Sequence, residues 1–175
     1  MTAKNNVKAN IRTVCLEDAT AVLDLQREIV SEGEFFISVI EEYNKTLEQH
    51  QDWIRKIIEN EREAILVAEM DSKVVGLIVF SSQNLKRLSH TGSITMMIGK
   101  EHRNLGIGKL LLNELLTWAQ QNPLIEKVSL GVFSTNQRAI ALYKNMGFVE
   151  EGRKIKEFKL NDNEYIDDIL MYKFV

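Results

Sequence analysis

Cysteine occurs once in the 175 residues, at Cys15, which excludes a disulfide within the chain and a cysteine-rich zinc site. The three histidines, His50, His90 and His102, lie far apart and show no metal-ligand spacing. A single proline, Pro123, and the lack of any Gly/Ser-rich stretch leave no linker. There is no repeat and no low-complexity segment. No apolar run approaches the roughly 20 residues that span a bilayer. Residues 1–10 are polar, without the apolar segment of a signal peptide. Basic residues are not in excess: 22 Lys and Arg against 25 Asp and Glu give a net charge of -3, so the footprint of a nucleic-acid binder is missing. The expectation is one cytoplasmic domain over residues 1–175, metal-free, with neither nucleic acid nor membrane as partner.

The residues present are those of a globular protein. Apolar residues make up 45% and charged residues 27%, which sets disordered, collagenous and coiled-coil chains aside. Residues 10–14 suit a short strand. Val22, Leu25, Ile29 and Val30 recur at helical spacing and predict a helix over 18–31 behind the acidic pair Glu17 and Asp18. Residues 33–43 form a loop with Phe35 and Phe36. Thr46 caps a second helix whose apolar stripe is Leu47, Trp53, Ile54, Ile57 and Ile58. Two β-branched runs, 64–70 and 73–81, flank Asp71-Ser72 as a hairpin, and 90–98 is a third strand. A helix follows over 106–121, with Ile107, Leu111, Leu112, Leu115 and Ala119 on its buried face, and stops at Asn122-Pro123. Then come a strand over 127–133 and a helix over 136–146 closed by Gly147. A hairpin of two long strands, 148–160 and 165–174, ends the chain. The order β-α-α-β-β-β-α-β-α-β-β predicts an α/β protein: a mixed, largely antiparallel twisted sheet of about seven strands with helices on both faces.

Residues 94–108 carry the chemistry. A strand runs into a turn with Arg103, Gly106 and Gly108, and the turn opens a helix. The first turn of a helix leaves N–H groups unpaired, and the helix dipole adds partial positive charge. Glycines let a phosphate approach the backbone. Arg103 adds a cation beside it, and a pyrophosphate is the natural ligand. The plain alternative is a tight strand-to-helix turn that simply needs glycine. Two other phosphate loops fail on spacing. Gly106-Ile107-Gly108 has no third glycine for a dinucleotide fingerprint, and Gly108-Lys109-Leu110 is not Gly-Lys-Ser/Thr.

Arg103-Asn104-Leu105-Gly106-Ile107-Gly108 resembles the pyrophosphate loop of the GNAT superfamily of N-acetyltransferases, Q/R-x-x-G-x-G/A. Asn136-Gln137-Arg138-Ala139-Ile140-Ala141-Leu142-Tyr143, followed by Gly147-Phe148, resembles that family's N-x-x-A-x-x-L-Y…G-F helix. The element order is similar to the family fold over nearly the whole chain. Two departures stand out: Lys100 where proline is frequent, and Asn104 where glycine often follows the arginine. Asparagine tolerates a left-handed backbone best after glycine, so the loop can keep its shape.

The resemblance implies an enzyme that uses acetyl-CoA as co-substrate and lets a primary amine attack the thioester directly. Met97 and Ile98 would meet the pantetheine arm and acetyl carbonyl, with an N–H near Ile98 stabilising the oxyanion. Backbone N–H groups from Arg103 through Asn104, Leu105, Gly106, Ile107 and Gly108 to Lys109 would hold the pyrophosphate. The pantetheine would pair in a gap between the strands ending at Ile98 and Phe133. Asn136 would contact it, and Ala139 and Leu142 would line its far side. Tyr143 would donate a proton to the leaving thiolate. Glu34, in the loop expected near the acceptor, is a candidate base. Phe35 and Phe36 would wall the pocket. His90 and His102 read as surface residues and Cys15 as a small buried filler.

The C-terminal block around Glu150-Glu151-Gly152-Arg153 and Tyr165-Ile166-Asp167-Asp168 resembles both small-molecule amine acetyltransferases, polyamine enzymes included, and ribosomal-protein N-terminal acetyltransferases. Glu32, Glu34, Glu41 and Glu42 would suit a polyamine if they face the pocket. The expected partner is a small-molecule amine, polyamine or amino-acid-like, with a protein N-terminus as the alternative. A non-catalytic acyl-CoA-binding module is the other class, and Tyr143 speaks against it. The two long C-terminal strands offer edges for a homodimer.

Overall fold

The computed structural model describes residues 9–83 and 85–175. Strand β1 (Asn10–Thr13) and a short 3-10 turn (Leu16–Asp18) lead into helix α1 (Ala19–Ser31). After a long loop come α2 (Leu47–Ile58) and three strands, β2 (Ala64–Met70), β3 (Lys73–Ser82) and β4 (Thr91–Ile98). Helix α3 (Ile107–Gln121), β5 (Lys127–Phe133), α4 (Gln137–Asn145), β6 (Val149–Asn161) and β7 (Glu164–Phe174) complete the chain. The order is the one expected from the sequence. No helix among the described residues is long and apolar enough to cross a membrane.

Local signals explain these boundaries. Thr46 accepts from the Gln49 N–H at 3.2 Å, and the Gln49 side chain accepts from the Thr46 N–H at 3.0 Å. This reciprocal cap starts α2. Asp71 (φ 47°) and Ser72 (φ 61°) are both left-handed, as a two-residue hairpin turn with right-handed strand twist requires. The buried face of α2 is His50, Ile54 and Ile57, at helical spacing. Leu47 and Ile58, expected on the stripe, are instead 41% and 50% exposed.

Seven strands form one sheet in the order β1-β2-β3-β4-β5-β7-β6. Every neighbouring pair is antiparallel except β4 and β5. One core lies under α3 and α4, with Leu111, Leu112, Leu115 and Met171 fully enclosed. The other lies under α1 and α2, with Val22, Ile54, Val67 and Leu77. β6 is an edge strand with three register shifts along β7.

The parallel pair positions the site. β4 and β5 match only at Thr91–Lys127, Gly92–Val128 and Ser93–Ser129. Beyond Ser93 the strands run on to Ile98 and Phe133 without pairing, and the sheet splits. At the closed end Gly92 lies under the Phe80 ring, where any Cβ would strike it.

Candidate active site

A cleft of about 1330 Å³ runs through this split. It has an end on the α3/α4 face and an end on the α1/α2 face. Of the residues singled out from the sequence, Glu34, Met97, Ile98, Arg103, Asn104, Gly106, Ile107, Gly108, Lys109, Asn136, Ala139, Leu142 and Tyr143 all line it. Leu105 does not; its side chain is exposed.

At the first end, the turn 103–108 is built for an anion. Asn104 (φ 65°) and Gly106 (φ 90°) are both left-handed, and Gly106 caps α3. Asparagine thus carries the backbone that glycine usually supplies at this point. Among the described residues, no hydrogen bond uses the N–H of Gly106, Ile107 or Gly108; the helix ladder begins with Lys109 and Leu110 donating to the Gly106 carbonyl. Gly108 is needed for close approach: a Cβ there would lie 3.1 Å from Ile98 Cδ1 and 3.2 Å from Leu142 Cδ2. Arg138 ties α4 to the turn, donating to Asn104 Oδ1 at 3.0 Å.

Arg103 corrects one expectation. Its guanidinium is not a free cation beside the turn. Both terminal nitrogens donate to Glu32 at 2.7 Å, and Nε donates to the Ile98 carbonyl at 3.0 Å. With its side chain so committed, Arg103 shapes the turn. Lys109 and Arg138 remain as cations lining this end.

In the middle of the cleft, the pairing phase decides which backbone groups face the gap. Gly99 N–H donates to Val75 O at 2.9 Å. Antiparallel pairs alternate, so Met97 turns its N–H to β3, while Met96 and Ile98 turn theirs toward the gap. Asn136 caps α4, its Oδ1 accepting from the Ala139 N–H at 3.2 Å. Tyr143 is 7% exposed and packs on Phe148, with ring centroids 5.8 Å apart. Burial pushes its phenol up to about 12, and no other group contributes to the shift.

The α1/α2 face forms the other end. Phe35 and Phe36 line it, as does Phe158 of β6, whose ring lies 4.6 Å from that of Phe133. Glu34 lines it and is exposed. Of the four acids that would suit a polyamine if they faced the pocket, only Glu34 lines the cleft, where Glu151 and Asp168 are the other carboxylates. Glu32 is held by Arg103, and neither Glu41 nor Glu42 lines the cleft. His102, expected on the surface, is half-buried and lines the cleft, whereas His90 is exposed. Cys15, read as a buried filler, is half-buried and donates to Asp18 at 3.2 Å.

Two buried polar groups in this cleft escape a motif-based reading. Asp168 is 8% exposed, and burial raises its carboxyl despite Lys154 Nζ at 3.9 Å. It sits opposite Phe133 on β7, on the face away from Ile169 and Met171. Gln26 of α1 is also 8% exposed. Both interrupt apolar periodicity, Asp168 between Ile166 and Leu170, Gln26 between Val22 and Val30. That interruption was the available signal.

Comparison with known proteins agrees with this geometry. Residues 25–148 match the model of the Acetyltransferase (GNAT) family. The chain is 29% identical over 119 residues to an L-amino acid N-acetyltransferase of Escherichia coli, covering 68% of this chain and 73% of that protein. It is 27% identical over 132 residues to a spermidine N(1)-acetyltransferase of Vibrio cholerae, covering 75% of each. It is 30% identical over 161 residues to an N-alpha-acetyltransferase of Sulfurisphaera tokodaii, covering 85% and 84%. The crystal structure of a GNAT-family acetyltransferase from Streptococcus pneumoniae superposes with a TM-score of 0.92 at 28% identity, covering 96% of this chain and all of that one. With a split sheet, a glycine turn at its mouth and a buried tyrosine within, the chain belongs to the GNAT family of N-acetyltransferases.

Proposed function

We propose that this protein moves the acetyl group of acetyl-CoA to the primary amine of a small, amino-acid-like molecule. The observation that carries the reading is the split between β4 and β5, with unpaired backbone on one edge, an anion-ready turn at one mouth and a buried phenol between. Acetyl-CoA supplies the acetyl thioester. The residues fit it: the free N–H groups of Gly106, Ile107 and Gly108 suit a pyrophosphate, and Gly108 lets the helix start pack closely on Ile98 and Leu142.

The remaining steps belong to the chain. The Ile98 N–H faces the gap, where it would stabilise negative charge on a carbonyl oxygen. Tyr143 keeps its proton at neutral pH, since its phenol is raised to about 12, and gives it to the departing sulfur. Asp168 takes the proton from the amine. Its raised carboxyl is a better base than an exposed one, and the opposite face of the sheet separates it from Tyr143. Glu34, at the rim, draws the cationic amine in. Acid and base on opposite faces let the amine enter on one side while the thiol leaves on the other.

Thermal unfolding with and without acetyl-CoA tests the cofactor half. Ligand at about 100 times its Kd adds about 2.7 kcal/mol. Thiol release against a panel of amines tests the other half. A shift with release on amino acids supports the reading. No shift means that the turn does not hold the cofactor, and the reading falls. Release on a peptide N-terminus alone favours the N-terminal acetyltransferase reading.

A further inference from the structure

Gln26 is a buried amide whose two ends have different fates. Its Oε1 accepts from Tyr43 Oη at 2.7 Å and lies 2.7 Å from His50 Nε2. His50 is 1% exposed, and its Nδ1 has no partner among the described residues. A buried unpaired N–H is worse than a buried lone pair, so the ring proton belongs on Nε2, which donates to Gln26. Burial, aided by Lys45 and Arg27, holds His50 neutral, so it has one proton to give. Tyr43 donates the other hydrogen bond. Both lone pairs of Oε1 are used, and the amide cannot flip without stranding a donor.

The NH2 end is therefore fixed, and among the described residues nothing accepts from it. Gln26 lines the α1/α2 end of the cleft. Three side chains from three places in the chain thus hold two N–H donors in the wall of the acceptor end. The amide nitrogen is not among the fully buried unpaired atoms, so it opens onto the cleft, where a ligand oxygen can accept from it. Lys45 lines the same end, its Nζ 5.8 Å from the ring centroids of Tyr43 and Trp53. An amide N–H pair beside an ammonium recognises an anionic oxygen.

Building on the acetyl-transfer reading, we propose that Gln26, oriented by Tyr43 and His50, binds the carboxylate of the acceptor, so that the acceptor is a free amino acid. The carboxylate lies against Gln26 and Lys45, and the amine turns toward the gap. A polyamine has nothing to offer these donors and would face Lys45 with like charge. Tyr43 and His50 are positioning residues.

The test is steady-state kinetics of the intact protein with acetyl-CoA against free amino acids, their carboxamides and spermidine. The wild type should prefer free acids over carboxamides by about tenfold or more. Gln26→Leu should raise KM for the acid by about tenfold or more and abolish that preference, leaving KM for acetyl-CoA unchanged. Gln26→Glu should reverse the preference by repelling the carboxylate. Stabilisation of each variant by acetyl-CoA shows that it is folded. Tyr43→Phe should raise KM for the acid and leave kcat near wild type. Equal or better turnover of spermidine, of carboxamides or of a peptide N-terminus overturns the proposal, as does a Gln26→Leu protein with unchanged discrimination. These outcomes leave acetyl transfer standing. Only failure of acetyl-CoA to bind the wild type removes both.

Discussion

Arg103 and Glu32 meet edge to edge, with both terminal guanidinium nitrogens 2.7 Å from the two carboxylate oxygens. Glu32 ends α1, and Arg103 begins the glycine turn. The pair locks a helix on one face of the sheet to the phosphate turn on the other. Nε of the same guanidinium holds the Ile98 carbonyl, so the turn and the strand end move together. Glu32→Ala should raise KM for acetyl-CoA by about tenfold through a loosened turn, with a smaller effect on kcat. Initial-rate kinetics at fixed acceptor reads this directly.

Tyr143→Phe removes one oxygen from a ring already packed on Phe148. Among the described residues the hydroxyl makes no hydrogen bond that the change would break, and burial is what raises the phenol. Stability should change by less than about 0.5 kcal/mol. Turnover should fall by about 10² to 10⁴, with KM for acetyl-CoA nearly constant. A variant with wild-type kcat would dismiss the proton-donor role.

As the proposed base, Asp168 should govern the acid limb of the pH profile. Its carboxyl is raised, and a base must be deprotonated, so kcat/KM should fall as pH drops through that raised value. Asp168→Asn should lose about 10² in kcat/KM at neutral pH and flatten the limb. Glu34→Gln should keep the limb and raise KM for the amine. The reverse pattern would make Glu34 the base.

Acid should lower stability in two stages. His50 is lowered from 6.5 to about 4 by burial, so the unfolded chain binds the extra proton first. Stability is complete above about 6.5 and lost as pH falls toward about 4, by about 3 kcal/mol. Asp18, hydrogen-bonded by Arg12 at 2.7 and 2.9 Å, is lowered from 3.8 to about 2. Its contribution of about 2 kcal/mol is lost between those values. Urea unfolding at several pH values should show the first step vanish in His50→Phe and the second in Asp18→Asn.

The sequence made the glycine turn and the α4 motif readable because their chemistry is local. Gly106 needs its backbone conformation, and Asn136 caps the helix that it begins. The order of elements along the chain followed from apolar periodicity. The partner of Arg103 was hidden, since Glu32 is 71 positions away and nothing in the spacing joins them. His50 lay unnoticed on α2 because apolar counting passes over a histidine among isoleucines. Gln26 and Asp168 were likewise masked, each a polar residue on an otherwise apolar face. Their meaning arises only when α1, β7 and the loop 33–46 come together.

The three matched pairs between β4 and β5 leave the sheet fastened at one end. Each strand is bonded on its outer side over seven pairs, to β3 and to β7. The molecule is therefore two stiff leaves on a short hinge, and on the proposed reading the cofactor arm would act as the missing rungs. Bound acetyl-CoA should slow hydrogen exchange at Ile98 and along the far end of β5, while amides at the hinge, such as Val128, barely change. In mechanical terms, the enzyme would then be complete as a sheet only while it holds its substrate.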